Sequence, residues 1–378
     1  MRDYLPFGKP NFSEREVAAV SRVLRSGWVG MGPETLAFEH ELEQHIGVPH
    51  VVTVNSCTSA LLMSLRLLGI GPGDEVICPS LTWCSTANAA LYLGAKPVFC
   101  DVDAHTLCIT PETVQAVLTT RTKAVIAVHF GGLAADVTAL RNSLPAHVAV
   151  VEDAAHAFGS RYADGQRVGA SGNLVCFSFY ANKTLSTGEG GAIALTDAAH
   201  ADRLRSLRQH GLAVDAWKRF SHPETVVHAD LNELGYKANY TDLQACIGRV
   251  QLARQGEFAA ARAAVGQIYR QGLAGLPLRL QADCTAASHS QHLFVVVLDE
   301  AASIDRHQLL TALRERRLGA TVHYEPLHLM PLYRQGQAPV RLPNTEHIGE
   351  RIVTLPIGAC VTPQDAQDVL DAMHEVLA

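Results

Sequence analysis

The sequence predicts an α/β fold, a mainly parallel sheet with helices on both faces, followed by a smaller α+β region. Three observations lead there. Apolar runs of strand type alternate with helical patterns from Val51 to Glu152, which is the signature of β-α-β units. From about Gln251 the pattern changes to α+β, so the chain divides into a large domain, 1–250, and a small one, 251–378. The chain has 378 residues and is 48% apolar, enough for one large core and a second smaller one.

The elements follow in order. Ser13 with Glu16 is a capping box, so a helix starts near Glu14 and stops by Gly27. A second helix runs from about Glu34 to Ile46. Val51 to Val54 is a strand, and the hydroxyl-rich loop Asn55 to Ser59 opens a helix from Ala60 to Leu68. Glu75–Cys78, Pro97–Cys100, Ala124–Val128 and Val148–Glu152 read as strands. The stretches Ser85–Leu93, Pro111–Leu118 and Asp136–Asn142 between them read as helices. Val175–Phe179 and Ala192–Leu195 are further strands. His200–Gln209 is a helix whose Arg203, Arg205 and Arg208 read as a solvated face. The loop from Ala213 to Asp230 has no period and reads as flexible or partner-facing. Thr241 with Gln244 is another capping box and starts a long helix to about Gly272. Leu293–Leu298 and Ala320–Tyr324 read as strands, and Asp305–Arg317 and Pro363–Val376 as helices.

Composition narrows the class. The net charge of −6 argues against a nucleic-acid partner, which calls for a basic stripe. No apolar run is long enough for a membrane span, and the first residues lack the apolar core of a signal peptide. Nine cysteines without a Cys-x-x-Cys pair read as reduced thiols of a cytoplasmic protein. No metal site is expected: His323 and His328, five apart with a proline between, have poor ligand geometry.

In parallel sheets, ligands gather at the carboxyl ends of the strands. Asp153 lies directly past one such end, His129 past another, and Trp83 a few residues past a third. Lys183 follows a strand and precedes the glycine-rich Gly188-Glu189-Gly190-Gly191. Burial there would disfavour its ammonium form, and a neutral lysine amine attacks carbonyls to form Schiff bases. The start of the helix after Asn55–Ser59 offers backbone N–H groups to an anion. His129 reads as a hydrogen-bonded structural histidine. One lysine, one carboxylate, one aromatic and one anion seat are what pyridoxal 5'-phosphate (PLP) needs: a Schiff-base partner, a partner for the pyridine nitrogen, a ring cover and a phosphate cradle. Lys183, Asp153, Trp83 and Thr58 with Ser178 supply these, and His156 lies three residues past Asp153.

The chain resembles the DegT/DnrJ/EryC1/StrS family of PLP-dependent nucleotide-sugar aminotransferases. The resemblance rests on segments spread from about residue 26 to 356. They are Gly69-Ile70-Gly71-Pro72-Gly73-Asp74-Glu75-Val76-Ile77, Phe99-Cys100-Asp101-Val102-Asp103, Glu152-Asp153-Ala154-Ala155-His156-Ala157, Phe177-Ser178-Phe179, Thr187-Gly188-Glu189-Gly190-Gly191 and Gly235-Tyr236-Lys237-Ala238-Asn239-Tyr240-Thr241-Asp242. It implies the fold type I, aspartate aminotransferase-like scaffold with a mainly parallel seven-stranded sheet. By the same resemblance Lys183 is the Schiff-base lysine, Asp153 pairs with the pyridine nitrogen, and His156 approaches the ring hydroxyl. Thr58, Ser178 and the Cys57 backbone hold the phosphate, and Trp83 stacks on the ring. Asn239 reaches the phosphate of the neighbouring subunit in a homodimer with a shared active site. His323 and Tyr324 border the sugar.

The implied reaction moves an amino group from L-glutamate to a nucleotide-linked keto-sugar, with the cofactor cycling through pyridoxamine 5'-phosphate. Two rival readings are a sugar dehydratase of the same superfamily and a non-catalytic regulatory homologue. Such dehydratases carry histidine where Lys183 stands. The intact set of Lys183, Asp153 and Ser178 argues against a regulatory role. Ala238 replaces a tyrosine common in the family, and Leu355-Pro356-Ile357 lacks a histidine common there. Both departures fall near the expected sugar or dimer surface and leave the identity of the sugar open.

Overall fold

The computed structural model describes residues 3–212, 230–231, 233–282, 289–335 and 340–377. Strands β1 (His50–Val54), β2 (Glu75–Pro79), β3 (Lys96–Cys100), β4 (Thr122–Val128), β5 (Ala149–Asp153), β6 (Leu174–Ser178) and β7 (Gly191–Leu195) form one sheet. Its order is β1-β7-β6-β5-β4-β2-β3. β2 to β6 pair in parallel, and β7 runs antiparallel to both β6 and β1. The expected seven-stranded, mainly parallel sheet is therefore present.

Successive residues of each strand feed opposite faces, as the period of two requires. Val76, Val151 and Cys176 join one apolar layer with α3 (Cys57–Leu67), α4 (Cys84–Leu91) and α7 (Ala198–Leu207). Ile77 and Val150 face the other way, towards α5 (Pro111–Gln115) and α6 (Val137–Ser143). Val175 and Phe177 share that second side with Phe38 and Leu42 of α2 (Pro33–Ile46). Each of these fully buried side chains contributes roughly 1.5–3 kcal/mol.

The caps are chemical. Ser13 and Glu16 close the expected box on α1 (Glu14–Ser26), and Gly27 ends it at φ 76°. α2 has no capping side chain of its own. Asp242 supplies one from afar, accepting from the N–H groups of Gly32 (2.8 Å) and Thr35 (3.0 Å).

A second sheet, β8 (Leu278–Leu280), β9 (Phe294–Leu298) and β10 (Ile352–Leu355), is antiparallel in the order β10-β9-β8. The helices Gln255–Gly272, Arg306–Glu315 and Pro363–Leu377 cover it with Tyr269, Leu309, Leu313 and Met373.

Four expectations change. The long helix after Thr241 is two, Asp242–Ala253 and Gln255–Gly272, broken at Arg254, which leaves helical backbone at φ −98°, ψ 5°. Ala320–Tyr324 is not a strand. Among the described residues its only ladder contact is an isolated bridge between Thr321 and Thr354; Ala320 and Val322 pack against the cores, while His323 and Tyr324 line the cavity. α5 ends at Gln115, three residues early. Arg208 is not on a solvated face but 1% exposed. The 213–230 loop, apart from Asp230, lies outside the described residues.

Arg208 donates to Glu39, and to the Thr53 carbonyl at 2.8 Å. Thr53 also gives its N–H and its hydroxyl to Glu39 at 2.9 and 2.7 Å. This buried pair ties α2, β1 and the end of α7 together. Arg208→Met leaves the Glu39 carboxylate buried and unpaired, so urea unfolding should show a loss of about 3–5 kcal/mol. A loss under about 1 kcal/mol would show that the pair is not a brace.

Candidate active site

The parallel strands end at one edge, and a cavity of 510 Å³ opens there. That size lies within the ~300–1,000 Å³ usual for small-molecule sites. Asp153 is the last residue of β5 and Ser178 the last of β6. Lys183 sits in the loop between β6 and β7. That loop is closed by the Phe179 N–H to the Gly190 carbonyl (2.9 Å) and the Thr187 N–H to the Phe179 carbonyl (2.9 Å). Two glycines make the crossing possible. A Cβ on Gly190, at φ +153°, would meet the Tyr240 ring at 2.6 Å, and one on Gly191 would meet the Cys57 nitrogen at 2.7 Å. The start of β7 is thus pressed against the start of α3.

α3 begins at Cys57, with Ser56 as the cap accepting from the Ser59 N–H. That is three residues earlier than the loop chemistry suggested, and it puts Cys57 and Thr58 in the first turn. Helical carbonyls cannot reach the N–H groups of a first turn, so they are available to an anion.

Lys183, Asp153, Cys57, Thr58, Trp83, His156, Ser178, His323 and Tyr324 all line this one cavity. Asn239 does not: its side-chain amide donates to the Tyr240 carbonyl at 3.2 Å, outside the cavity of its own chain. Trp83 stands at the mouth, 61% exposed, its ring 5.9 Å from that of Tyr324.

Lys183 and Asp153 sense each other's charge across the cavity. Burial pulls the Lys183 ammonium down to about 8, although Cys57 and Asp153 work to raise it. Burial pushes the Asp153 carboxyl up, against hydrogen bonds from Thr86 and the Ala155 N–H and the charge of Lys183. The Thr86 hydroxyl donates to Asp153 Oδ2 at 2.8 Å, and the Ala155 N–H to Oδ1 at 3.2 Å. A buried carboxyl held this way gains from a nearby cation, such as a protonated ring nitrogen.

His156 accepts from the Gly131 N–H at Nδ1 (3.3 Å) and lies 2.9 Å from the Tyr324 hydroxyl at Nε2. These bonds assign it the Nε2–H tautomer, and burial keeps it neutral. His323 bonds the Thr354 hydroxyl at 2.9 Å through Nδ1. His129 is the structural histidine expected: Nε2 meets Glu152 at 2.8 Å and Nδ1 accepts from the Ala135 N–H at 3.0 Å. His328 bonds the buried Ser80 hydroxyl at 2.7 Å and fastens its segment to the end of β2.

Sequence reasoning missed several cavity residues. His292 Nε2 lies 3.4 Å from Lys183 Nζ, across 109 residues, and no local pattern joins the two. Thr82 and Thr86, bonded at 2.9 Å, support Asp153. Their spacing of four at a helix start was the available signal. Asn182 Oδ1 and His292 Nδ1 are buried without a partner, two polar atoms still to be matched by a ligand. Amine, carboxylate, helix start, hydroxyls and orphaned polar atoms fit pyridoxal phosphate from end to end.

Comparison with known proteins agrees. The model of the DegT/DnrJ/EryC1/StrS aminotransferase family matches residues 10–374. The aminotransferase TlmJ from Streptoalloteichus hindustanus is similar at 35% identity, over 99% of this chain and 98% of that one, with a TM-score of 0.90. DesV from S. venezuelae, solved in complex with a ketimine intermediate, is 35% identical over 96% of this chain and 94% of its own, with a TM-score of 0.85. Spr1654 from Streptococcus pneumoniae, solved in PMP-, apo- and PLP-forms, is 29% identical in its PMP-form, over 98% of each chain, with a TM-score of 0.91.

Proposed function

Because the chain belongs to the DegT/DnrJ/EryC1/StrS aminotransferase family, we propose that it moves an amino group from L-glutamate to the 3- or 4-keto group of a nucleotide-linked sugar, giving an amino sugar. The observation that carries the reading is Lys183 and Asp153 lining one cavity, each within the other's electrostatic reach.

Pyridoxal phosphate, when bound, supplies an electron sink. Lys183 Nζ would hold its aldehyde end, and the same amine, neutral near pH 8, would serve as the cavity's proton acceptor and donor. Asp153 keeps the proton on the ring nitrogen, backed by Thr86 and Thr82. His156, whose Nε2–H meets the Tyr324 hydroxyl, would lie beside the ring hydroxyl. The hydroxyls of Thr58 and Ser178 and the Cys57 N–H bind the phosphate, and Trp83 covers the ring at the mouth. His323 and Tyr324 face the sugar. Asn239, outside its own cavity, completes the phosphate seat of a second copy, which makes the working unit a homodimer. Free thiols throughout the described chain fit a cytoplasmic setting.

The test is a panel of nucleotide-linked 3-keto and 4-keto sugars incubated with L-glutamate and followed by mass spectrometry. Amino-sugar and keto-acid products are expected together. Release of ammonia with no keto acid would sink the transfer reaction.

The lysine also sets a pH dependence. With its folded pKa near 8, against an ordinary 10.5, half of Lys183 is neutral near pH 8. Uptake of pyridoxal phosphate by the apo-protein should rise about tenfold per pH unit below 8 and level off above it. A rise continuing to pH 10, followed by absorbance, would contradict the buried amine.

A further inference from the structure

A second cavity, of 210 Å³, lies behind the lysine loop, where Thr184 and Gln291 contribute to its wall. Its lining includes Arg262, Arg167 and His45 and, among the described residues, no carboxylate. Arg262 comes from the helix Gln255–Gly272 and is 4% exposed. One terminal nitrogen donates to the carbonyls of Gln291 (3.1 Å) and His292 (3.4 Å). Its Nε is buried without a partner. Burial pulls this guanidinium down to about 10, with the Cys360 thiol working to raise it.

His45, near the end of α2, repeats the theme. Its Nε2 is buried and unpartnered. Burial lowers it to about 4, aided by repulsion from Arg167 and Arg161. Arg167 is itself lowered by burial and by Arg161. A fully buried guanidinium, with a half-buried arginine and a histidine that repel each other in the same lining, is unfavourable unless something anionic joins them. Donors arriving from three separate elements suit a ligand with several acceptor oxygens.

We infer that this cavity binds a small phosphate-type oxyanion, gripped by Arg262, Arg167 and His45. The site is separate from the cofactor's phosphate seat at the start of α3. Arg262 also holds the carbonyl of His292, whose ring touches Lys183, so the ion sits directly behind the segment that contacts the reactive amine.

The test uses protein loaded with pyridoxal phosphate, so that the cofactor's own seat is filled. Inorganic phosphate is titrated by calorimetry at ionic strength held constant with KCl. One saturable site per chain is expected. Arg262→Gln should weaken it by at least about tenfold and Arg167→Gln by about three- to tenfold. Arg203→Gln, whose parent side chain pairs with Glu233 and lines neither cavity, should leave it unchanged. Competition from uridine diphosphate would show the ion to be part of a larger phosphorylated molecule, and no competition would show it to be free; both results keep the site. Heats equal to the chloride blank, or unchanged affinity in both arginine variants, overturn it. If Arg262→Gln does not fold, Arg167→Gln, from a partly exposed position, decides alone.

Discussion

Lys183→Ala is expected to lower turnover by at least about 10⁴-fold while the protein still folds and still takes up pyridoxal phosphate. One atom, Nζ, carries both the covalent hold and the proton transfers, so its loss removes both at once. Little structural goes with it, since among the described residues the only hydrogen-bond partner of Nζ is His292 Nε2 at 3.4 Å. Folding should not suffer. An amine whose folded pKa is about 8 against 10.5 opposes folding below pH 8, and that opposition fades between 8 and 10.5. The variant should therefore be at least as stable as the parent at pH 7. The measurement is each half-reaction separately: absorbance change on adding L-glutamate, then amino-sugar formation from the preloaded amine form. Turnover within about tenfold of the parent would remove Lys183 from the chemistry.

Asp153→Asn should cost about 10²- to 10⁴-fold in turnover with the cavity intact. The amide keeps the shape of the carboxylate, and Thr86 and Thr82 can reverse their hydroxyls to suit it. What disappears is the negative charge that holds a proton on the ring nitrogen. The expected readout is a lower rate in both half-reactions, with a spectrum shifted relative to the parent at the same pH. A rate within about threefold of the parent would show that the ring nitrogen does not depend on this carboxylate.

Much of the framework was legible because it is written locally. The strands from Val51 to Glu152, the Ser13–Glu16 and Thr241–Gln244 boxes and the glycines after Lys183 are short-range signals, and each reappears in the structure. Lys183 and Asp153 could be placed on one edge because parallel strands must end together. Other features depend on what packs where. Arg208 reads as one of three helix arginines until Glu39, 169 residues away, meets it in the interior. The 320–324 stretch alternates like a strand but finds only one bridge partner. His292 reaches Lys183 from the small sheet's side, and Arg254 breaks a helix whose two halves are each good helix formers. None of these can be derived from neighbouring residues.

The reversed strand β7 has a consequence for how this protein can change. Because Ser178 pairs with Gly191, the twelve-residue segment that presents Lys183 leaves from and returns to one rung of a single ladder. An insertion in that segment would displace the amine without disturbing the rungs. The chain would keep its shape and lose its chemistry, so this fold can yield inert descendants that are sound in every other respect.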